Sequence, residues 1–140
     1  MVRTELVEGR IEEKVEDTGP PDRGAELVFR GRVRGKESRR IISALHYEHY
    51  PGMAERQLQA LAEQAAKRFA ILDLICRHRI GRVPVGEISL EVCIRSRHRK
   101  EGLEAMDFFI AELKKSVPIW KWAVLPDGRK VPGGHHPAGS

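Results

Sequence analysis

Hydrophobic residues recur along this chain with two different periods, which predict strands and helices. Period-2 alternation over residues 26–33 and 87–96 is typical of half-buried strands. The apolar stretch 71–80 has hydrophobic side chains on both faces, which indicates a central strand. A further strand is predicted over 40–50, and we expect it to form a hairpin with 26–33. Residues 81–86, which include a proline, are predicted to form a turn.

Two other segments carry apolar residues at steps of three and four, the spacing of one face of a helix. The first covers about 53–68, and the second covers about 99–115 and ends before Pro118, which cannot continue a helix. The elements therefore run strand, strand, helix, strand, strand, helix and tail. This order indicates an α+β fold, with helices packed on one face of a mostly antiparallel sheet.

A length of 140 residues fits a single domain with one core. Residues 1–24 are polar and contain a Gly-Pro-Pro turn cluster, so we predict a peripheral lead-in, and the Gly/Pro/His-rich residues 132–140 are predicted to be a flexible tail. The N-terminal residues are charged, and no apolar run approaches the roughly 20 residues of a membrane span. We therefore expect a cytoplasmic protein without a membrane segment.

The charge balance favours an anionic partner without identifying it. The chain has 25 basic and 20 acidic side chains, a formal net charge of +5, which suits an anionic ligand, an acidic protein or nucleic acid. No spacing of Cys or His residues indicates a metal site, and no phosphate-binding P-loop is present. Cys76 and Cys93 lie in strand-like stretches and are interpreted as reduced core residues.

Basic residues at the ends of predicted elements are the candidate functional groups. Arg34 follows the strand 26–33, and His98 with Arg99 stands where a strand passes into a helix, whose N-terminal amide donors favour anions. Such a pair can hold a phosphate, although viewed alone it is more often a solvated turn. Lys114 lies at the end of the second helix, where a lysine viewed alone more often compensates the helix dipole than serves a function.

Lys121 has a less ordinary setting. It follows Ile119 and Trp120 in a segment that must pack, so we expect its ammonium group to be partly desolvated. Desolvation makes a lysine a better proton donor or nucleophile near neutral pH.

Five stretches, taken together, resemble the catalytic (large) subunit family of molybdopterin synthase. They occur in the family's order and spacing and span about residues 25–125. The matching stretches are Phe29-Arg30-Gly31-Arg32-Val33-Arg34; Leu45-His46-Tyr47-Glu48-His49-Tyr50-Pro51-Gly52-Met53; His78-Arg79-Ile80-Gly81 with Val85-Gly86-Glu87; Ser96-Arg97-His98-Arg99; and Lys114 through Pro118-Ile119-Trp120-Lys121.

The resemblance implies an α/β hammerhead-like fold and a sulfur-transfer step in molybdenum cofactor biosynthesis. A small ubiquitin-like subunit carries a thiocarboxylate on its C-terminal glycine, and two sulfurs move onto cyclic pyranopterin monophosphate to form the dithiolene of molybdopterin. The resemblance implies no metal and no dissociable cofactor. By motif position, the catalytic candidates are Lys114 and Lys121, and the substrate-binding candidates are Arg32, Arg34, His98 and Arg99.

The spacing of these candidates predicts a homodimer. Arg99 and Lys114 stand 15 residues apart on one predicted helix, which separates them by roughly 22 Å at about 1.5 Å per residue. One small substrate cannot touch both ends, so a single pocket needs His98 and Arg99 from one subunit and Lys114 and Lys121 from another. The resemblance likewise implies a central dimer with one small subunit at each end.

Two stretches beside the candidate pocket depart from the family pattern. They are Gly35-Lys36-Glu37, which follows Arg34, and Trp122-Ala123, which follows Lys121. The alternative function is therefore a non-catalytic paralogue, or a binding module whose basic pocket holds an acidic protein tail or another anionic ligand. Nucleic acid is the weaker choice, because aromatic residues make up only 6% of the chain and we expect them to pack in the core instead of stacking on bases.

Overall fold

The computed structural model describes residues 1–13 and 19–133, so most of the predicted 132–140 tail lies outside the described residues. In chain order the elements are β1 (Val2–Val7), β2 (Ala25–Arg32), β3 (Lys36–Glu37), β4 (Arg40–Ile41), β5 (Ala44–His49), α1 (Met53–Phe69), β6 (Asp73–Arg79), β7 (Gly81–Pro84), β8 (Ile88–Ser96), α2 (Arg99–Ser116), β9 (Ile119–Val124) and β10 (Lys130–Pro132).

The first sheet has four strands in the order β1-β6-β8-β2. Its central strands, β6 and β8, are antiparallel and largely buried. Burial on both faces agrees with the pattern of β6, whereas the half-buried strand predicted over 87–96 is wrong, because β8 is central in the sheet and buried along its whole length. Both helices pack on one face of this sheet and form the main core with it. The predicted α+β arrangement, with helices on one face of a mostly antiparallel sheet, is confirmed.

The helices form close to where the sequence predicts them. In α1 the buried positions step by three and four, from Ala54 and Leu58 through Ala65, so one stripe faces the core. The Glu55 carboxylate accepts a hydrogen bond from the backbone N–H of Gly52 at 3.0 Å and caps the first turn. The helix α2 buries Phe109 and Leu113 and ends two residues before Pro118.

A second, smaller sheet carries a separate core. Its strands follow the order β10-β9-β5-β7 and are all antiparallel. Beside it, β3 and β4 form a two-strand hairpin whose turn residues, Ser38 and Arg39, have φ angles of 48° and 67°. The core of the second sheet consists of Val33, Ile42, Leu45, Val83, Ala123 and Leu125.

The irregular lead-in predicted for residues 1–24 is wrong for its first residues. Val2–Val7 forms β1, which pairs parallel with β6 along the edge of the first sheet. Glu12 and Arg23 also contact the sheet face opposite the helices, because Arg77 donates a hydrogen bond to the Glu12 carbonyl oxygen and Arg23 donates one to the Asp73 carboxylate. The polar strand β1 is stabilised by its hydrogen bonds to β6, which lies about seventy residues away in sequence.

The predicted hairpin and the predicted turn also differ from the structure. The stretches 26–33 and 40–50 do not form a hairpin, because β2 pairs with β8 while β5 pairs with β7 and β9. The predicted turn over 81–86 contains the strand β7, which pairs with β5. Pro84 is compatible with β7 because this strand is the edge of its sheet and needs few backbone donors.

Candidate functional site

A cavity of about 450 Å³ lies where the two sheets meet the C-terminal end of α2. The first sheet contributes residues of β2, β6 and β8, and the second contributes residues of β5 and β9. The cavity is lined by Phe29, Gly31, Arg32, Val33, Arg34, Glu37, Leu45, Tyr47, His78, Ser89, Leu90, Leu113, Lys114, Ile119, Trp120 and Lys121.

Two of the predicted arginines reach this cavity from the end of β2. The register between β2 and β8 shifts between Gly31 and Arg32, so the strand becomes irregular at the cavity wall. The Arg32 guanidinium donates a hydrogen bond to the Gly86 carbonyl oxygen at 3.1 Å and forms an ion pair with Glu13. Arg34 lies two residues further along the chain and is exposed at the rim.

Lys121 enters the cavity from β9. It lies opposite Tyr47 of β5 in the antiparallel register, so the two side chains share one face of the second sheet. The expectation of a partly buried Lys121 is confirmed, because its side chain is 21% exposed. Its Nζ atom lies 3.3 Å from a carboxylate oxygen of Glu37, whose own side chain is 12% exposed.

Lys114 reaches the same cavity from the last turn of α2. Its neighbour Leu113 is buried in the main core and fixes the rotation of this turn. Lys115, the next residue, turns to solvent with a 69% exposed side chain and lies 3.9 Å from the Glu112 carboxylate. Of two adjacent lysines, the fold therefore directs only Lys114 to the cavity.

His98 and Arg99 are not among the residues that line this cavity. His98 is the N-cap residue of α2 and Arg99 opens the helix, so both lie at the opposite end from Lys114 and are exposed. The helix start packs tightly, because a Cβ atom added at Gly102 would lie 2.7 Å from Leu27. Within one chain, the structure therefore joins four of the six predicted site residues and separates the other two.

Three neutral polar residues of the cavity were missed as site residues by the sequence analysis: Tyr47, His78 and Ser89. The His78 side chain is buried at 5% exposure, and its ring meets the Tyr47 ring edge-on with 5.2 Å between centroids. Burial lowers the pKa of His78 to about 4, partly offset by a hydrogen bond to a backbone carbonyl. The sequence does contain a sign that His78 is buried, because residue 78 falls on the same face of the strand as Leu74 and Cys76.

The sequence marks Glu37 only as part of a departure from the family pattern, although Glu37 contacts Lys121, one of the two catalytic candidates. It lies in β3, a two-residue strand, and no hydrophobic periodicity marks so short an element. Its position beside Lys121 depends on the β3–β4 hairpin folding back toward β9.

The cysteines do not contribute to this site. Cys76 and Cys93 are reduced thiols, and both are buried away from solvent. Burial raises the pKa of the Cys76 thiol, which disfavours the nucleophilic thiolate.

Residues 1–13 and 19–133 contain neither a candidate metal-binding cluster nor a helix of membrane-spanning character. Within these ranges, no group of three or more His, Cys, Asp or Glu side chains is placed to hold a metal ion. No helix there is long and apolar enough to span a membrane.

Comparison with known proteins gives consistent matches. Residues 3–116 match the protein family described as MoaE protein. The chain is 36% identical over 118 residues to the molybdopterin synthase catalytic subunit of Pyrococcus abyssi, covering 84% of this chain and 80% of that protein. It is 41% identical over 108 residues to the protein of the same name from Thermoplasma volcanium, covering 77% and 79% of the two chains.

Solved structures agree with these sequence matches. The crystal structure of molybdopterin synthase from Staphylococcus aureus superposes with a TM-score of 0.78 at 29% identity and covers 90% of this chain and 93% of that chain. A complex of subunits 1 and 2 of the molybdopterin-converting factor from Helicobacter pylori has a TM-score of 0.73 at 24% identity, with 92% and 88% of the chains covered. The latter likeness concerns the fold alone.

Proposed function

This chain belongs to the MoaE protein family, and we propose that it is the catalytic subunit of a molybdopterin synthase. In this function it transfers sulfur from a thiocarboxylated, ubiquitin-like small subunit to cyclic pyranopterin monophosphate and so forms the dithiolene of molybdopterin. The single observation that carries the proposal is the cavity that brings Arg32, Arg34, Lys114 and Lys121 together from three separate parts of the chain.

The charge of the cavity suits both proposed reactants. Four cations and one carboxylate, Glu37, are found among the described residues that line it. A phosphate-bearing pterin and a thiocarboxylate are both anions and repel each other in the absence of a countercharge. Fixed cations reduce that repulsion and stabilise the negative charge that develops on oxygen or sulfur in the transition state.

The two lysines are the groups we assign to the chemistry. Lys121 is half-buried and serves as the proton donor or the transient covalent attachment point. Lys114 approaches from the helix end and serves as its electrostatic and general-acid partner. The sulfur of the thiocarboxylate forms the new carbon–sulfur bond as a carbon–oxygen bond of the substrate breaks, and a lysine donates a proton to the departing oxygen. Water then cleaves the acyl–sulfur bond, which leaves the sulfur on the substrate and the small subunit with a carboxylate.

A complete site requires a second copy of the chain in this proposal. His98 and Arg99 lie at the far end of α2 from Lys114, roughly 22 Å along the helix at about 1.5 Å per residue. A two-fold homodimer brings the His98 end of one protomer to the cavity of its partner without any change in either fold. His98 and Arg99 then add a further pair of phosphate-binding groups.

Mixing two inactive variants tests the shared site. If Lys121→Ala and Arg99→Ala act in one composite site, each mixed dimer contains one site with both native residues, and random mixing restores about a quarter of the wild-type activity. The control is a mixture of Lys121→Ala with Lys114→Ala, whose residues belong to one protomer in this arrangement, and it restores nothing. No recovery in the first mixture, with mixed dimers present by mass spectrometry, contradicts the shared site.

Reconstitution tests the function itself. The protein is combined with a thiocarboxylated small subunit and cyclic pyranopterin monophosphate, and the dithiolene product is measured. Product is expected in proportion to the thiocarboxylate consumed. If the small subunit supports a related synthase but yields no product here, the chain is a binding module or a non-catalytic paralogue.

A further inference from the structure

The neutral part of the cavity contains a buried histidine to which the proposed chemistry gives no role. His78 lies on β6 opposite Leu90 of β8, and both residues line the cavity. Its Nδ1 atom lies 2.8 Å from the carbonyl oxygen of Arg79. A carbonyl oxygen only accepts hydrogen bonds, so Nδ1 carries the proton and donates it.

The other ring nitrogen is consequently an acceptor. Burial holds the pKa of His78 at about 4, so the imidazole is neutral near pH 7. A neutral imidazole with a proton on Nδ1 has a lone pair on Nε2. Nδ1 is already engaged with the backbone, which leaves Nε2 as the ring atom available to a molecule in the cavity.

Burial separates the cavity into two chemical regions. Arg34 and Lys114 are exposed and Arg32 has a 49% exposed side chain, which places these cations at the rim. His78 and Ser89 are only 5% and 8% exposed, which places the neutral groups at the floor. The Ser89 hydroxyl donates to the Gly31 carbonyl oxygen at 3.3 Å.

We propose that His78 is a specificity-determining residue whose Nε2 accepts a hydrogen bond from an N–H group of the substrate's heterocycle. The cations at the rim hold the anionic part of the same molecule, so the two regions fix its orientation. This inference rests on the proposed function, because cyclic pyranopterin monophosphate carries both a phosphate and ring N–H donors. Loss of one partner of a buried hydrogen bond discriminates strongly between ligands.

Two substitutions at His78 separate the hydrogen bond from packing. His78→Phe keeps a flat ring beside Tyr47 and removes the acceptor, whereas His78→Gln keeps an acceptor oxygen. The dissociation constant of cyclic pyranopterin monophosphate is measured by calorimetry in the absence of the small subunit, with inorganic phosphate as a second probe. His46→Phe is the matched control, because His46 is half-buried on the other face of β5 and does not line the cavity.

We expect His78→Phe to weaken pterin binding by about 10-fold to 100-fold and to leave phosphate binding unchanged. His78→Gln recovers much of the loss, and His46→Phe binds as the wild type does. Equal pterin binding by wild type and His78→Phe, or an equal loss of pterin and phosphate binding, overturns the assignment. If the wild type itself binds phosphate but no pterin, the proposed function fails and His78 loses its role with it.

Nitrogen NMR of the isotopically labelled wild-type protein tests the assignment without any substitution. Addition of the pterin is expected to shift the Nε2 resonance of His78 toward that of a hydrogen-bonded acceptor, while Nδ1 stays protonated. Inorganic phosphate leaves the Nε2 resonance in place. An unchanged Nε2 resonance in the pterin-saturated protein overturns the proposal even if His78→Phe fails to fold.

Discussion

Two charged regions of this molecule differ in how completely their charges are matched. On the sheet face opposite the helices, three cross-strand neighbours form an Arg30–Glu91–Arg77 row, and three others form a Glu26–Arg95–Asp73 row. We call these six residues the ion-pair face. It holds three cations and three carboxylates, whereas the described residues lining the cavity include four cations and one carboxylate. Glu37 pairs with Lys121 and Glu13, from outside the lining, pairs with Arg32, so among the described residues the unmatched positive charge of the cavity is that of Arg34 and Lys114.

The difference separates structural from functional use of the same residue types. In the ion-pair face each charge meets an opposite charge on the neighbouring strand, so register and ion pairing support each other. In the cavity the excess of positive charge is unfavourable for the empty protein and becomes favourable when an anion binds. A count of basic residues in the sequence does not distinguish the structural use of a charge from its functional use.

The largest effect is expected from Lys121. We predict that Lys121→Ala lowers kcat/KM by about 10²-fold to 10³-fold, because a proton donor or an electrostatic group is lost from the transition state. Lys115→Ala is the matched control, since Lys115 is exposed beside the other catalytic candidate and lies outside the cavity. Single-turnover sulfur transfer measures the effect. Equal losses in both variants, or none in either, contradict a catalytic Lys121.

Next in size is the loss of a matched charge from the ion-pair face. Burial disfavours the Glu91 carboxylate, but hydrogen bonds from Arg77 and Arg30 outweigh this and lower its pKa. Glu91→Gln leaves two partly buried arginines without their countercharge, and we predict that the free energy of unfolding falls by about 3 kcal/mol. Urea unfolding measures the change.

Glu112→Gln provides the comparison for Glu91→Gln. Glu112 belongs to an exposed pair with Lys115 at 3.9 Å, and such pairs contribute less than about 1 kcal/mol. Sulfur transfer in the surviving folded Glu91→Gln protein is expected to be near that of the wild type. A stable but inactive Glu91→Gln protein refutes the separation of the two regions.

Low pH is expected to reduce the stability of the folded protein by protonating Asp73 in the ion-pair face. Hydrogen bonds from Arg23 are the main reason that the pKa of Asp73 falls to about 2 from an ordinary value of 3.8. Because the folded protein holds this carboxylate ionised, the stability that it contributes is present above pH 3.8 and disappears as pH falls toward 2.

Asp73→Asn isolates this contribution. We predict a loss of about 2 kcal/mol at neutral pH, from the charged hydrogen bonds that the amide cannot replace. The difference from the wild type shrinks as the pH approaches 2. Urea titrations at a series of pH values measure both quantities. A constant difference down to the lowest pH shows that another group carries the acid sensitivity.

The smallest effect concerns Glu37, the one carboxylate among the described residues that line the cavity. Glu37 lies 3.3 Å from Lys121 and competes with an incoming anion for that amine. Glu37→Gln removes the charge at nearly constant shape, so we predict a KM for the pterin that is lower by about threefold. Glu48→Gln, on β5 outside the cavity, is the control. A fall in kcat at unchanged KM indicates instead that Glu37 positions Lys121.

The sequence predicts the helices and central strands well because their signals are local. The apolar stripes of α1 and α2 and the patterns of β6 and β8 depend only on residues within each element. The strands β1 and β7 escape prediction because each lies at a sheet edge and is stabilised by pairing with a distant strand. Such pairing leaves little trace in the hydrophobicity of an edge strand.

The candidate site is likewise predicted in part by the sequence and in part only by the structure. The family motifs select Arg32, Arg34, Lys114 and Lys121, and the structure gathers them around one cavity. The helical spacing of residues 99 and 114 also predicts that His98 and Arg99 lie at the other end of α2 from Lys114, and the structure confirms this. Motif position does not show that His78 lines the cavity floor with its Nδ1 bound to the backbone.

The sequence by itself determined the α+β class, the two helices, the family and the residue types needed to bind an anion. Only the tertiary structure decided the strand order, the matched charges of the ion-pair face and the excess positive charge of the cavity. The physical reason is that periodicity reports whether each residue faces the core or solvent. Electrostatic balance depends on which remote residues become neighbours, and long-range strand pairing determines those neighbours.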